Sequence, residues 1–202
     1  MNTKLSNLFI TGCDKNTRWM LPWFEENFYK HNPAANLYVF DFDKGNGWCQ
    51  KPQAMVDAIK VADKICWLDT DCEVRADLSD IFNQLDTNKL SMVEDAPWST
   101  RKHERWHNSG VVAFEGSPGI LSHWAREANA LMEDRGPMYG DQDMLHELVR
   151  EGLSREIHIR TLSKTWNTLR LDLIDGTAPK DIKIMHWTGR KGKEEIRKQM
   201  NE

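Results

Sequence analysis

Ile65-Cys66-Trp67-Leu68-Asp69-Thr70-Asp71 is a short apolar run that ends in two carboxylates, two residues apart. Its apolar half suits a buried strand, and in an extended chain alternate residues share a face, so Asp69 and Asp71 can reach one cation. Carboxylates held that close resist ionising together unless a metal, a cationic partner or solvent compensates. The stretch therefore predicts a strand that delivers a metal site at its own end. Sheets that work this way are the α/β sheets, which bind ligands beyond the carboxyl ends of their strands.

The flanking sequence supports that class. A strand is expected over 5–10, then the polar turn Thr11 to Thr17 and a helix over 19–30. A second strand, 36–40, runs into a loop over 41–47, and Pro52 suits the first position of a helix ending near Ala62. Beyond the strand at 64–68, short apolar runs at 89–93 and 110–114 read as strands and 118–133 as a helix. Gly140-Asp141-Gln142-Asp143 precedes an apolar-spaced segment, so a carboxylate should cap a helix there. A last strand, 182–185, leads to His186. Alternating strands and helices predict one domain over 1–202, with a mostly parallel central sheet flanked by helices. Asp14, Asp69, Asp71, Asn108 and His186 all follow or adjoin strands and should converge on one edge.

Composition narrows the function. The 202 residues are 40% hydrophobic, enough for one substantial core, and the formal charge of -4 offers no broad attraction to nucleic acid or anionic lipid. Cys13, Cys49, Cys66 and Cys72 form no CxxC pair, which favours reduced thiols and a cytoplasmic setting. No run approaches the roughly 20 apolar residues of a membrane span. Nine tryptophans could stack on a base or a sugar, although most are expected in the core.

The stretch Val61-Ala-Asp-Lys-Ile-Cys-Trp-Leu-Asp-Thr-Asp-Cys-Glu-Val-Arg-Ala-Asp-Leu78 closely resembles the DxD region of the GT-A nucleotide-sugar glycosyltransferases, most of all glycosyltransferase family 8, the galactosyltransferase and glycogenin-like group. Three more landmarks follow in that family's order. Trp106-His-Asn-Ser-Gly-Val-Val112 is similar to its N-[AS]-G-V strand; by itself Asn-Ser-Gly reads as a polar turn. Tyr139-Gly-Asp-Gln-Asp-Met-Leu145 is similar to D-Q-D-x-L; a helix cap explains one carboxylate there but not Gln142. Ile184-Met-His-Trp-Thr-Gly-Arg-Lys191 resembles the H-x-x-G segment with its downstream lysine.

The resemblance implies a single GT-A (Rossmann-like) domain with a small antiparallel element, and transfer of a hexose from a nucleotide sugar, most simply a UDP sugar, to a hydroxyl of a glycan, protein or small molecule with retention of configuration. It implies that Asp69, Asp71 and His186 hold Mn²⁺, with Mg²⁺ as an alternative. The donor sugar would lie against Asn108, Asp141 and Gln142, joined by Glu94 or Asp95. Thr11, Gly12, Asp14 and Asn16 would receive the base, with Gly12 admitting it close to the backbone. Gly189 and Lys191 or Lys193 would meet the diphosphate. The chain departs from the family where the usual K-P-W becomes Arg190-Lys-Gly-Lys-Glu-Glu195. Two other readings share the carboxylate pair: a haloacid-dehalogenase-type phosphotransferase and a nucleotide-sugar-binding module without turnover.

Overall fold

The computed structural model describes residues 4–42, 47–131, 140–150 and 154–201. In chain order its elements are β1 (Leu5–Cys13), α1 (Leu21–His31), β2 (Leu37–Asp41), α2 (Gly47–Ala58), β3 (Ala62–Leu68), β4 (Cys72–Val74), β5 (Leu90–Glu94), α3 (Ala96–Lys102) and β6 (His107–Glu115). They continue with α4 (Gly119–Leu131), α5 (Asp141–Val149), α6 (Ser154–His158), β7 (Ile159–Leu162), β8 (Thr168–Leu169), α7 (Arg170–Ile174), β9 (Ile184–His186) and α8 (Gly189–Gln199).

Alternation builds the sheet. Leu8 and Ile10 of β1, Ile65 and Trp67 of β3, and Val112 and Phe114 of β6 pack on one face with α2, α4 and α5. Phe9, Cys66, Leu68, Val111 and Ala113 pack on the other with α1, β4 and Ile196 of α8. Strands buried on both faces read as continuous apolar runs, which is why 65–68 carries no polar alternation. The six strands lie in the order β2-β1-β3-β6-β5-β7, all parallel except β6, which is antiparallel to β3 and β5. The expected mostly parallel α/β architecture is the one observed. A separate sheet, β4-β9-β8, sits after the carboxylate pair, and His186 is the last residue of β9 rather than the first beyond it.

The second helix differs from expectation. It begins at Gly47, carries Pro52 inside, and ends at Ala58, because Ala62 already opens β3. Pro52 forgoes one intrahelical hydrogen bond. Burial of Ala54, Met55 and Ala58 holds the helix in place despite that loss. No helix among the described residues is long and apolar enough to cross a membrane.

His107 opens β6 in a buried setting, its Nε2 2.8 Å from Thr161 Oγ1. Burial, reinforced by Arg155 and Arg105, pushes its pKa from 6.5 down to about 4. The unfolded chain therefore takes up a proton that the folded chain refuses as pH falls between those values. Stability from this group is complete above pH 6.5 and declines toward pH 4, by at most about 3 kcal/mol. Urea midpoints measured across that interval should fall with pH, and His107→Gln should flatten much of the slope. An unchanged slope would move the acid sensitivity elsewhere.

Candidate functional site

A cavity of about 440 Å³ opens at the carboxyl ends of β1 and β3. Asp14, Asn16, Asp69, Asp71, Asp141, His186 and Gly189, remote in sequence, all line it. Asn108 adjoins through His186, 3.1 Å from Asn108 Oδ1 to the ring Nδ1.

The carboxylate pair is not extended. Cys72 N donates to Asp69 O at 3.0 Å, closing a turn that redirects the chain from β3 into β4 so that Cys72 can pair with His186 across the small sheet. Asp71 and His186 meet there, Oδ1 to Nε2 at 3.1 Å. The other ring nitrogen fixes the tautomer. Gly110 N donates to Asn108 Oδ1, while Asn108 Nδ2 donates to Asp95, so the Asn108 amide has one orientation. Asn167 Nδ2 donates to that same Oδ1, turning Asn167 Oδ1 to His186 Nδ1. Nδ1 faces two oxygens and must carry a proton, so in neutral His186 the Nε2 lone pair points at the Asp71 carboxylate. Two acceptors so placed call for a cation or a second proton between them. Burial of His186 favours its neutral form, but the Asp71 charge and hydrogen bond outweigh it and raise the pKa. Burial likewise works against ionised Asp71 and is overcome by His186, with Lys193 helping, so its pKa is lowered.

Cys72 Sγ lies within 4.8 Å of the ligand atoms of both residues. Burial first, then Asp71 and Asp69, drive its pKa well upward, so it remains a thiol and Asp71 and His186 are the stronger ligands. Asp69 is differently engaged. Its Oδ1 accepts from Trp67 Nε1 at 2.6 Å and from Lys51 Nζ at 3.2 Å.

Lys51 was not anticipated from the sequence. Its side chain is 3% exposed, and its ammonium lies 2.7 Å from Asp141 Oδ2 and 3.2 Å from Asp69 Oδ1. It also donates to Ser109 O and Oγ at 3.0 and 3.2 Å. Burial opposes its charge, but Asp141 and Asp69 more than compensate and raise its pKa. The DxD turn and the start of α5 are thus joined by one buried cation. The available signal was its spacing: Lys51, Met55 and Ala58 share the buried stripe of α2.

Asp95, Asn108 and Gln142 form a second cluster. Asp95 Oδ2 accepts from Asn108 Nδ2 at 3.2 Å and Gln142 Nε2 at 3.3 Å, while Gln142 Oε1 accepts from Asn108 Nδ2 and Ser109 N. Glu94 points to a different partner, Arg105, 3.8 Å away. A register shift between Met92 and Val93 presents Ser109 and Gly110 outside the regular β5–β6 pairing. Gly110 is required by His186, since a Cβ there would lie 2.1 Å from the ring Cε1. Asp143 caps α5 by accepting from Gly140 N at 3.0 Å, which leaves Asp141 and Gln142 to the site.

At the other end, Asp14 Oδ1 accepts from Asn16 N, Thr17 N and Thr17 Oγ1 at 2.9–3.0 Å. Burial raises the Asp14 pKa, but hydrogen bonds from Thr17, Asn16 and Gly47 prevail and lower it. Gly12 lines the same cavity, and a second constraint holds it as glycine. A Cβ there would lie 2.4 Å from the Phe42 ring, which itself lines the cavity. Thr11 is fully buried in β1 and is not part of the lining. Lys193 lines the cavity, whereas Lys191 is exposed and does not.

At the sequence level, no protein-family profile and no curated protein matches the chain. Solved structures do. The galactosyltransferase LgtC, solved as an active-site glutamine-to-glutamate mutant, matches with TM-score 0.62 and 15% identity over 96% of this chain and 95% of that one. A glycosyltransferase involved in glycosylation of the major capsid of PBCV-1 matches with TM-score 0.68 and 15% identity, over 98% and 100% of the two chains. The apo-form glycosyltransferase GlyE of Streptococcus pneumoniae TIGR4 matches at 0.62 and 18% identity, covering 93% of this chain but 55% of its own. The chain has the GT-A fold of these glycosyltransferases.

Proposed function

We propose that the chain is a metal-dependent glycosyltransferase that moves a hexose from a UDP sugar to a hydroxyl acceptor with retention. The observation that carries this reading is the Asp71–His186 pair. A carboxylate and an imidazole whose Nδ1 is committed to two amide oxygens face each other at the wall of the cavity. That oxygen and nitrogen set fits Mn²⁺, with Mg²⁺ a weaker match. Asp71 and His186 would hold the cation, with Asp69 beside them, and it would supply Lewis-acid stabilisation of the diphosphate.

The remaining roles follow from placement. Asp14 and Asn16 offer an acceptor and a donor to the edge of uracil. Lys193 and the amide end of α8, an 11-residue helix starting at Gly189 in the cavity wall, would receive the leaving diphosphate. Lys193 therefore takes the role first shared with Lys191. Asp141, set by Lys51, and Gln142, set by Asp95 and Asn108, would position the donor hexose. Gln142 spends both amide atoms within its cluster, which suits orientation rather than covalent chemistry. A leaving phosphate oxygen can then take the acceptor proton on the face it departs from, which gives retention.

Asp69 does not suit the nucleophile of a haloacid-dehalogenase-type enzyme, because Lys51 and Trp67 occupy it. Titration calorimetry with UDP should show binding at least about tenfold tighter with Mn²⁺ than after chelation. Slow hydrolysis of a UDP-hexose without acceptor should separate an enzyme from a binding module. Equal UDP affinity with and without metal would sink the donor assignment.

A further inference from the structure

Arg155, in α6, is 8% exposed, and its guanidinium has one hydrogen-bond partner among the described residues: Nη2 lies 3.3 Å from His146 Nδ1. A guanidinium can only donate, so the His146 proton sits on Nε2, facing Glu104 Oε2 at 3.3 Å. Burial first, with Arg155 adding to it, outweighs Glu104 and lowers the His146 pKa, so that partner is neutral. Among the described residues no carboxylate lies within 4.0 Å of Arg155. Burial also works against the Arg155 charge, and Glu104 and Glu156 do not offset it, so its pKa is lowered. A buried cation whose one close partner is neutral calls for an anion.

The fold leaves room for one. Arg155 borders two spaces. The first, shared with His107 and His146, is about 10 Å³ and holds no more than a water. The second is an open groove of about 350 Å³, lined also by Glu104, Arg105, Val149, Arg150 and Glu156. It shares no residue with the cavity at the ends of β1 and β3. Its charges do not balance. Glu104 meets Arg150 at 3.2 Å and Glu156 meets Arg105 at 3.9 Å, so each carboxylate has a guanidinium of its own. The third guanidinium, Arg155, is in surplus, and it is the buried one.

Guanidinium forks match the spacing of oxyanion oxygens. Arg105 precedes β6, Arg150 follows α5 and Arg155 lies in α6, so the donors reach the groove from three elements. A tetrahedral oxyanion accepts from several directions at once, whereas a planar carboxylate accepts mainly in its own plane. We propose that the groove is a phosphate site separate from the Lys193 end of the cavity: Arg155 holds the phosphate of a free ion or a small phosphomonoester, and Arg105 and Arg150 close around its other oxygens. The site stands whether or not the chain transfers sugars.

Calorimetric titration of the full chain without metal, at fixed ionic strength, with inorganic phosphate, glycerol phosphate and acetate tests it. Phosphate should bind at least about tenfold more tightly than acetate, and Arg155→Met should remove that preference. Lys193→Met should leave it within about twofold. Glycerol phosphate binding at least as well as inorganic phosphate would identify an ester as the occupant, and inorganic phosphate binding alone would identify the free ion; either result supports the site. Circular dichroism and thermal midpoints check the fold of each variant. Arg105→Gln with Arg150→Gln, both at exposed side chains, gives a second route that spares the core, and the pair should weaken phosphate by about tenfold. Acetate binding as well as phosphate, wild-type phosphate affinity in folded Arg155→Met or in the double variant, or a loss confined to Lys193→Met would each overturn the assignment.

Discussion

Lys51→Met is expected to lower the unfolding free energy by about 3–5 kcal/mol and to reduce donor turnover by about 100-fold. The volume change is small, so the loss comes from charge. Lys51 neutralises Asp141, whose side chain is 8% exposed, and Asp69, at 29%. Without the ammonium two carboxylates remain near each other, one of them almost fully desolvated, and Ser109 loses two donated hydrogen bonds. The carboxylates relieve their repulsion by moving apart, and each anchors a motif of the site: Asp69 the DxD turn, Asp141 the start of α5. Even a 1 Å displacement of such groups costs about two orders of magnitude in rate. Lys51→Arg should rescue poorly, because a planar fork does not replace a compact ammonium with five oxygen partners inside a packed wall. Urea unfolding and UDP-hexose hydrolysis measure the two effects. Wild-type stability together with wild-type turnover in Lys51→Met would show that the buried cation organises nothing.

Local pattern made much of this site legible. The uninterrupted apolar run before Asp69 marked a strand buried on both faces, and the carboxylates of Gly140-Asp141-Gln142-Asp143 marked the start of α5, where Asp143 is the one that caps. Lys51 escaped because a helical lysine is by default read as solvated; only its position on the Met55 and Ala58 stripe distinguished it. The turn at Asp69–Cys72 escaped because β4, the strand it leads into, is three residues long, too short for a periodic signal. Asn-Ser-Gly at 108–110 by itself reads as a turn before the strand expected over 110–114, yet all three lie within β6, where Gly110 belongs to an irregularity that makes room for the His186 ring. Gly12 reads as backbone access and does line the cavity, but its constraint by Phe42, 30 residues away in sequence and in the same lining, has no local signal. In each case the missing information was a tertiary neighbour, which no local pattern contains.

His186→Gln is expected to remove the metal-dependent part of UDP affinity and to lower donor turnover by about 10³-fold. Glutamine keeps a polar group in the space above Gly110 but has no imidazole nitrogen to present to a cation beside Asp71. His186→Ala should be worse for the fold. It leaves buried Asp71 without its countercharge and the Asn108 and Asn167 oxygens without the Nδ1 donor, a loss of about 3–5 kcal/mol. Asn167→Ala distinguishes holding a cation from positioning its ligand. Asn167 is fully buried and helps fix the Nδ1 proton, so its removal should weaken Mn²⁺-dependent UDP binding about 10–100-fold while Asp71 and His186 remain. Asp71→Asn, nearly isosteric and neutral, should abolish that metal dependence outright, and combining it with His186→Gln should cost little more, because each change disables the same site. Calorimetric UDP titrations with and without Mn²⁺ separate these cases. Metal-dependent binding that survives in His186→Gln at the wild-type level would place the cation elsewhere along the cavity and make Asp69, rather than His186, the partner of Asp71.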